Sequence, residues 1–476
     1  MDGSFGADLH EKISKLKAAH LREGFPSAET RIAWLDKAIA LLVDHSDAIC
    51  AAISEDFGHR SKDQSLLGDI VTSITALKYS KKYVRKWMKP EKRSPEFPLG
   101  LLGARAELQF QPKGVVGVIS PWNFPVSMVF VPLAGIFAAG NRAMIKPSEF
   151  TPRTSDMMKK LIGEYFDDDE ATVVTGEGDV GAAFTQLPFD HIIFTGSTGV
   201  ARHVMRAAAD NLVPVTLELG GKSPAIFSES ADYEKSAQRL MNGKALNAGQ
   251  ICTAPDYVLV PVSKKTELVE NIKKAVATMY GAGIKDNDDY TSIINQRHYD
   301  RLKGLLEDAR DKGADVIELN PQGEDFSQQQ HLKMPPYLIL DPSDDMAVMR
   351  EEIFGPILPV KGYNGVDEAI DFINDGPRPL ALYYFGDDNA ERDRILSRTT
   401  VGGVTVNDTL MHVAQEDLPF GGVGASGMGA YHGRDGFLEF SHKKSVLHQT
   451  GSELISFLRP PYGDFYRKQM NAKVKA

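Results

Sequence analysis

The feature that most constrains the fold is a regular alternation of short apolar runs with helical segments, from Gly114 to about Thr405. Strands buried on both faces have continuous apolar runs, and a helix between two such runs makes the strands parallel. We therefore predict an α/β fold with two α/β units in series, each built on a parallel sheet. The predicted strands are Val115–Ile119, Ala143–Ile145, Ala171–Thr175, His191–Phe194, Val215–Leu219 and Ala225–Phe227, followed by Asp256–Val260, Tyr337–Leu340, Ile357–Lys361, Leu382–Phe385 and Val404–Val406.

The segments on either side differ from this pattern. Before residue 90, apolar residues recur at helical spacing, first after Pro26-Ser27 and again from Leu66 to Met88, which predicts helices. A Pro/Gly-rich connector over 90–103 precedes an alternating run that predicts a strand over 104–111. The basic tail is expected to be frayed.

One uncharged stretch, Gly114 to Asn141, is long enough to cross a bilayer. Pro121, Pro125 and Pro132 interrupt it, however. A lipid-exposed span must satisfy its backbone hydrogen bonds internally. We therefore predict a buried strand, a turn and a buried helix, with no membrane contact.

Charge and cysteine content limit the classes of function. The chain has 54 Lys and Arg against 64 Asp and Glu, a net charge of −10. An acidic protein is repelled by nucleic acid and acidic membranes. Cys50 and Cys252 are the two cysteines, which excludes a disulfide framework and favours a reducing compartment. The N-terminus has no apolar core, so we expect a cytoplasmic protein without a Sec signal.

Two small-residue turns are candidates for phosphate binding. Gly176 to Gly181 matches G-x-G-x-x-G between a predicted strand and a helix, and Thr195 to Gly199 follows the next strand. The acid that should hold a ribose about 20 residues later is missing, because Asp190 precedes its strand. A plain tight turn therefore remains an alternative for the first segment. Gly221-Lys222-Ser223 resembles a P-loop end, but Thr216 occupies the position of the first glycine.

Cys252 lies in the Gly- and Pro-flanked segment Asn247–Pro255. A nucleophilic role requires that its pKa be lowered, by a cation or a helix N-terminus. The alternative is a small buried apolar side chain, which suits Cys50 within a helical pattern. The 12 histidines show no metal-binding spacing, and we predict no metal site.

Seven segments carry a stronger signal together than any does alone. They are Pro121–Pro125 (PWNFP), Lys146–Glu149 (KPSE), Phe194–Thr198 (FTGST), Leu217–Pro224 (LELGGKSP), Gly249–Cys252 (GQIC), Glu351–Pro356 (EEIFGP) and Pro419–Gly422 (PFGG). In this order, they resemble the aldehyde dehydrogenase superfamily. The stretches 252–257 and 424–432 resemble its class 3 branch, and the chain as a whole resembles the bacterial coniferyl aldehyde dehydrogenases.

The resemblance implies roles for three catalytic residues. Cys252 would attack the aldehyde carbonyl, and the Asn123 amide with the Cys252 backbone N–H would form the oxyanion hole. Glu218 would activate the water that hydrolyses the resulting thioester. It also implies an NAD cofactor, since Glu149 would repel a 2′-phosphate, although the class 3 branch includes enzymes that use NADP as well. Ala201 replaces a glycine of the family's second turn.

Further positions follow from the same resemblance. Lys146 and Glu149 would contact the adenosine ribose, and Gly196 and Ser197 the pyrophosphate. Trp122 and Gly178 would line the adenosine side, Glu352 would hold the nicotinamide ribose and Phe354 would pack near the ring. An apolar substrate tunnel, suited to coniferyl aldehyde or another aromatic or medium-to-long-chain aldehyde, would be lined by Phe124, Met128, Ile251, Thr253 and Phe420.

The implied architecture is a Rossmann-type cofactor domain, an α/β catalytic domain and an oligomerisation arm, in a homodimer. The corresponding ranges are 1–93 and 113–218 with 427–444, then 219–426, then 94–112 and 445–460, with a tail over 461–476. Three alternatives remain at this point: a coenzyme-A-acylating aldehyde dehydrogenase, a cofactor-independent thiol esterase and a non-catalytic protein of the same fold.

Overall fold

The strands largely coincide with the apolar runs of the sequence. The computed structural model describes residues 3–97, 99–451 and 456–475. In chain order the strands are β1 Glu91–Arg93, β2 Arg105–Pro112, β3 Val115–Ile119, β4 Arg142–Lys146, β5 Ala171–Val173, β6 His191–Gly196, β7 Val215–Leu219, β8 Pro224–Phe227, β9 Tyr257–Pro261, β10 Asp315–Glu318, β11 Tyr337–Leu340, β12 Ile357–Tyr363, β13 Ala381–Phe385, β14 Gly403–Val406, β15 Gly427–Met428 and β16 Ser441–His448.

The helices occupy the predicted intervals between these strands. They are α1 Gly3–Glu23, α2 Ala28–Asp44, α3 Ser46–Asp56, α4 Lys62–Ser65, α5 Thr72–Trp87, α6 Ser127–Ala139, α7 Pro152–Tyr165, α8 Gly178–Thr185, α9 Thr198–Asp210, α10 Tyr233–Ala245, α11 Lys265–Tyr280, α12 Gln296–Asp311, α13 Ala347–Arg350, α14 Val366–Asp375, α15 Asn389–Arg398, α16 Gly433–Glu439 and α17 Asp464–Lys475. A π-helical segment, Leu66–Val71, joins α4 to α5. The tail is therefore helical in α17, and the expectation of a frayed tail was wrong.

Two largely parallel sheets confirm the predicted α/β fold. The first has the order β15-β7-β6-β3-β4-β5 and the second the order β10-β11-β12-β9-β8-β13-β14. The chain passes from the first to the second between Leu219 and Pro224. Because parallel strands end at the same edge of a sheet, this passage places the end of β7 beside the second sheet's segments.

Two edges of these sheets are antiparallel and were not predicted. β10 pairs with β11, and β15 pairs with β7 with Gly427 opposite Glu218. β10 is partly exposed along its length, and β15 has two residues. Neither carries the continuous apolar run that marks a strand buried on both faces.

The uncharged stretch forms β3, a loop and α6, as predicted. α6 is buried along nearly its whole length and contains Pro132. In the described part of the chain, no helix is both long and apolar enough to cross a membrane.

The chain forms two units, which we describe separately. The larger contains Met1–Trp87 and Pro112–Ser441, and the smaller contains Met88–Gln111 and His442–Ala476. The smaller unit has a three-stranded sheet of order β1-β2-β16, in which His448 lies 3.6 Å from Glu107. Its strand β16 overlaps the start of the range 445–460 expected for the arm, and residues 452–455 of that range lie outside the described residues.

Candidate active site

The three predicted catalytic residues come from separate elements of the larger unit. Asn123 lies between β3 and α6, Glu218 lies in β7 and Cys252 lies between α10 and β9. The Asn123 amide donates to the Gln250 carbonyl at 3.1 Å, two residues before Cys252. Glu218 is near enough to raise the pKa of Cys252. The structure therefore brings all three into one region.

The segment before Cys252 is held in an unusual backbone conformation. Asn247 and Ala248 have φ of 50° and 51°, and Gly249 has φ of 74°. A side chain on Gly249 would lie 2.3 Å from the Gly355 carbonyl. The Gln250 amide group binds the Asn247 and Ser292 carbonyls and the Ile294 N–H. Such strain persists where surrounding contacts over-determine it, so the nucleophile loop is rigid.

The Cys252 side chain is a neutral thiol in its protein environment. Burial first, then the Glu352 and Glu218 carboxylates, raise its pKa to about 12. The sequence analysis required a lowered pKa for a nucleophile, and the protein groups around Cys252 act in the opposite direction. Ionisation must therefore accompany proton transfer to a base or the arrival of a cationic group.

Glu218 has the properties of that base. Its side chain is 2% exposed, and neither carboxyl oxygen has a hydrogen-bond partner. Burial and, second, the neighbouring Glu439 raise its pKa well above the usual value. A buried carboxylate with free lone pairs and a raised pKa is suited to general-base catalysis near neutral pH.

A buried ion pair that the sequence analysis missed supports Asn123. Arg60 donates to the Asn123 carbonyl at 2.9 Å and lies 3.0 Å from Asp69, with both side chains fully buried. Asp69 in turn accepts from the backbone N–H groups of Val126 and Ser127 at 3.0 Å each. Removing one partner of such a pair costs about 3–5 kcal/mol. The sequence feature that could have indicated this ion pair is Asp69, an acidic residue within the apolar pattern of 66–88.

The arrangement at the ends of β4 and β6 fits a dinucleotide. Lys146 ends β4, and its ammonium lies 3.2 Å from Glu149. Gly196 ends β6, and the Ser197 hydroxyl caps α9 by accepting from the Val200 N–H. A helix N-terminus after a small-residue turn favours a phosphate. Gly178 begins α8, where an added side chain would meet open space.

Glu352 lies in the loop between α13 and β12. Its Oε1 is buried without a hydrogen-bond partner, which suits a ribose hydroxyl donor. A side chain on Gly220 would collide with its carboxylate. Lys222 anchors the backbone next to it, donating to the Val348 and Glu351 carbonyls. A cavity of about 590 Å³ has Thr198, Gly220 and Glu352 in its wall.

Two further residues considered in the sequence analysis are placed as follows. Asp190 does not face a ligand, because its carboxylate accepts from the Val115 N–H at 2.8 Å and pairs with Lys17. Trp122 contacts Phe354 edge-to-face with ring centroids 5.3 Å apart. Trp122 therefore lies beside Phe354, the residue expected near the nicotinamide ring.

The expected substrate-side residues are placed as follows. Ile251 and Thr253 flank Cys252 and are buried, and Met128 lies in the first turn of α6. Phe124 packs over the Arg60 guanidinium, 4.8 Å from the ring centroid. Its ring therefore covers the ion pair beneath the Asn123 loop.

Phe420 belongs to an aromatic group that the sequence analysis did not assign. Its ring stacks on His432 with centroids 5.3 Å apart and meets Tyr431 edge-to-face at 5.9 Å. The Tyr431 hydroxyl and His432 Nδ1 are buried without partners. Tyr431 is close enough to Glu218 and Cys252 for both to raise its pKa. The sequence feature that could have indicated this aromatic group is the Gly424–His432 stretch, which the sequence analysis used only to assign the class 3 branch.

The described residues contain no cluster of three or more His, Cys, Asp or Glu side chains arranged to hold a metal ion. The chemistry available in this part of the chain is therefore that of a thiol, a buried carboxylate, amide donors and a dinucleotide-binding edge. This combination defines a class of oxidoreductase in which a cysteine forms a covalent intermediate.

The chain belongs to the aldehyde dehydrogenase family, whose model matches residues 7–446. It is 60% identical over 98% of its length to a protein of Caulobacter vibrioides described as a probable coniferyl aldehyde dehydrogenase, covering 97% of that protein. It is 54% identical to the coniferyl aldehyde dehydrogenase of a Pseudomonas species, over 96% of this chain and 94% of that one. The substrate-bound structure of Staphylococcus aureus AldH matches with a TM-score of 0.91 and 38% identity, over 98% and 99% of the two chains.

Proposed function

We propose that this aldehyde dehydrogenase oxidises coniferyl aldehyde to ferulate with NAD, through a thioester on Cys252. The observation that carries the hydrolytic mechanism is Glu218, a buried and unpartnered carboxylate beside the thiol. The substrate assignment is supported by the relatives named above. The aromatic group of Phe420, Tyr431 and His432 supports it as well, since rings in offset or edge contact suit a planar phenyl group.

The chain's residues carry the following chemistry. The Cys252 sulfur bonds to the aldehyde carbon as the thiol proton leaves to Glu218, and the resulting oxyanion is stabilised by the Asn123 amide. Glu218 gives this proton up to solvent before it acts again. NAD supplies the hydride acceptor when it is bound. Water then attacks the thioester carbonyl while Glu218 takes its proton, and the carbon–sulfur bond breaks to return Cys252 and release the acid.

The cofactor assignment rests on donors and acceptors at the dinucleotide-binding edge. Lys146 and Glu149 would hold one ribose, Gly196 and Ser197 the pyrophosphate, and Glu352 the second ribose. Ala201 is 1% exposed inside α9, so its methyl group faces the packed side of the helix. Glu149 favours NAD because its carboxylate would repel a 2′-phosphate.

Glu149→Gln is expected to shift the ratio of kcat/KM for NADP against NAD by roughly tenfold towards NADP, because one charge repulsion disappears. The Lys146 ammonium, 3.2 Å from Glu149 in the native protein, then becomes available to the 2′-phosphate. Initial rates with both cofactors measure the ratio. Glu164→Gln on α7, which also removes a carboxylate paired with a lysine, serves as the control. An unchanged ratio would remove Glu149 from the ribose site.

The wild-type protein is expected to produce NADH and ferulate from coniferyl aldehyde without coenzyme A. The kcat/KM for coniferyl aldehyde should exceed that for a saturated aldehyde of similar length about tenfold, the range of one good aromatic contact. NADH absorbance and chromatography of the product measure both. Formation of acid only when coenzyme A is added would show an acylating enzyme, and a preference for the saturated aldehyde would refute the substrate assignment.

We also propose the domain ranges given above, with 94–112 and 445–460 as an oligomerisation arm of a homodimer in the cytoplasm. The separation of Met88–Gln111 and His442–Ala476 into their own unit supports the arm. Sedimentation of the intact protein tests the dimer.

A further inference from the structure

A chain of hydrogen bonds leads from the protein surface to a carboxylate beside the general base. Lys113 Nζ lies 3.0 Å from His191 Nδ1, and His191 Nε2 lies 2.7 Å from the Thr216 hydroxyl. The Thr216 hydroxyl donates to Glu439 Oε1 at 2.5 Å. None of these four residues has a role in the chemistry described above.

The directions of these bonds are fixed by the donors available. Thr216 has one hydroxyl proton, which it donates to Glu439, so it accepts from His191 Nε2–H. His191 Nδ1 is then an acceptor for the Lys113 ammonium. Burial first, and then Lys113, lower the pKa of His191 to about 3, so the ring is neutral. Each donor in this series of hydrogen bonds therefore points towards the Glu439 carboxylate, which is held as an acceptor.

Strand geometry places this carboxylate close to Glu218. Thr216 and Glu218 are two residues apart on β7, so their side chains lie on the same face. β15 pairs with this part of β7, and a side chain on Gly429, directly after β15, would lie 2.7 Å from Glu439 Oε1 and 3.0 Å from Thr216 Cγ2. The glycine leaves the space that the Glu439 carboxylate occupies.

Exposure differs sharply between the two carboxylates. Glu218 is 2% exposed, whereas the Glu439 side chain, at the end of α16, is 27% exposed. A carboxylate that reaches solvent and lies near the buried base can connect the base to bulk water. A purely structural role would not require the negative charge, because a glutamine would accept the same bond from Thr216.

We propose that Glu439 is the proton outlet of Glu218. This inference rests on the proposed function, in which Glu218 receives a proton from the attacking water. The protonated Glu218 passes that proton through water to Glu439, and Glu439 releases it to solvent while Glu218 returns to its carboxylate. The oxidation of one aldehyde by NAD and water gives one carboxylate, one NADH and two protons, so such an outlet is used in every turnover.

The groups that face Glu218 electrostatically are Glu439, Cys252 and Tyr431. Of these, Glu439 has the exposed side chain. Tyr431 is 1% exposed and burial raises its pKa well above the usual value, so its hydroxyl stays protonated and has no basic form to take up a proton. Glu439 is therefore the suitable acceptor among them, acting through Glu218 and not on the substrate.

Glu439→Gln tests this role. We expect kcat to fall about 10- to 100-fold, the lower part of the range for general acid–base groups, with KM unchanged. NADH should form in a burst before a slow steady rate, because hydride transfer precedes hydrolysis. Small buffers such as imidazole should restore the rate with increasing concentration. Glu439→Asp should recover part of the loss, and Asp435→Asn, which removes a charge from the same helix, should behave as wild type.

Hydrolysis of p-nitrophenyl acetate without NAD separates this proposal from the proposed function. The ester acylates Cys252 directly, and its hydrolysis needs the same base and outlet. Slow ester hydrolysis in Glu439→Gln that buffer restores supports the outlet. Failure of the wild type to oxidise any aldehyde would refute the proposed function but not the outlet. Wild-type steady rates in the variant, or a loss that buffer does not restore, would overturn the outlet.

Discussion

Replacing Cys252 with alanine is expected to abolish aldehyde oxidation, with kcat lower by on the order of 10⁴–10⁶, as when the nucleophile of a covalent mechanism is removed. No other thiol lies beside Glu218 and Asn123 in the described site. Steady-state NADH formation measures the loss, and mass spectrometry of the wild type trapped with a slow aldehyde should show an acyl group on Cys252.

The matched control is Cys50→Ala. Cys50 lies in α3, is 2% exposed and has its pKa raised to about 11, mainly by burial. Its removal leaves a small cavity that costs about 1 kcal/mol of stability, while kcat stays near the wild-type value. Oxidation that survives in Cys252→Ala at the wild-type rate would refute the covalent mechanism, whatever the family membership.

Glu218→Gln is expected to lower steady-state kcat by about 10²–10⁴, the contribution typical of a general base. Because glutamine cannot accept the proton of the attacking water, the thioester should accumulate and hydrolysis should limit the rate. Rapid-mixing experiments should then show a burst of NADH close to one equivalent per site. The absence of both a burst and a rate loss would exclude Glu218 as the base.

The pH dependence follows from the same carboxylate. The pKa of Glu218 lies well above its usual value, and the base acts in its deprotonated form. The wild-type kcat should therefore fall as the pH is lowered through that raised pKa. This fall should be absent from the pH profile of Glu218→Gln. Burial and the neighbouring Glu439 raise this pKa. Glu439→Gln should therefore move the acidic fall of kcat to lower pH.

The strands were predictable because a strand that is buried on both faces consists of consecutive apolar residues. Val115–Ile119, Val215–Leu219 and Tyr337–Leu340 were identified to the residue. β15 was not, since it depends on pairing with β7 and has no local pattern. The expectation that Asn123, Glu218 and Cys252 share one cleft came from the family resemblance. No local sequence pattern shows which strand ends become neighbours.

Electrostatic roles were the least predictable part of the site. The pairing of Arg60 with Asp69, and the reach of Glu439 to Thr216 across 223 residues of sequence, depend on the packed fold. The raised pKa of Cys252 depends first on burial and then on two carboxylates from different segments. A sequence shows which groups are present, but burial and neighbours determine their protonation.

The contact between Gly249 and Gly355 has a consequence for how this enzyme can change over time. One glycine precedes the nucleophile and the other follows Glu352 and Phe354, and a side chain on Gly249 would collide with the Gly355 carbonyl. The nucleophile loop and the cofactor-side loop must therefore be inherited as a matched pair. A chimera that takes one loop from a distant relative should lose its fit at this point.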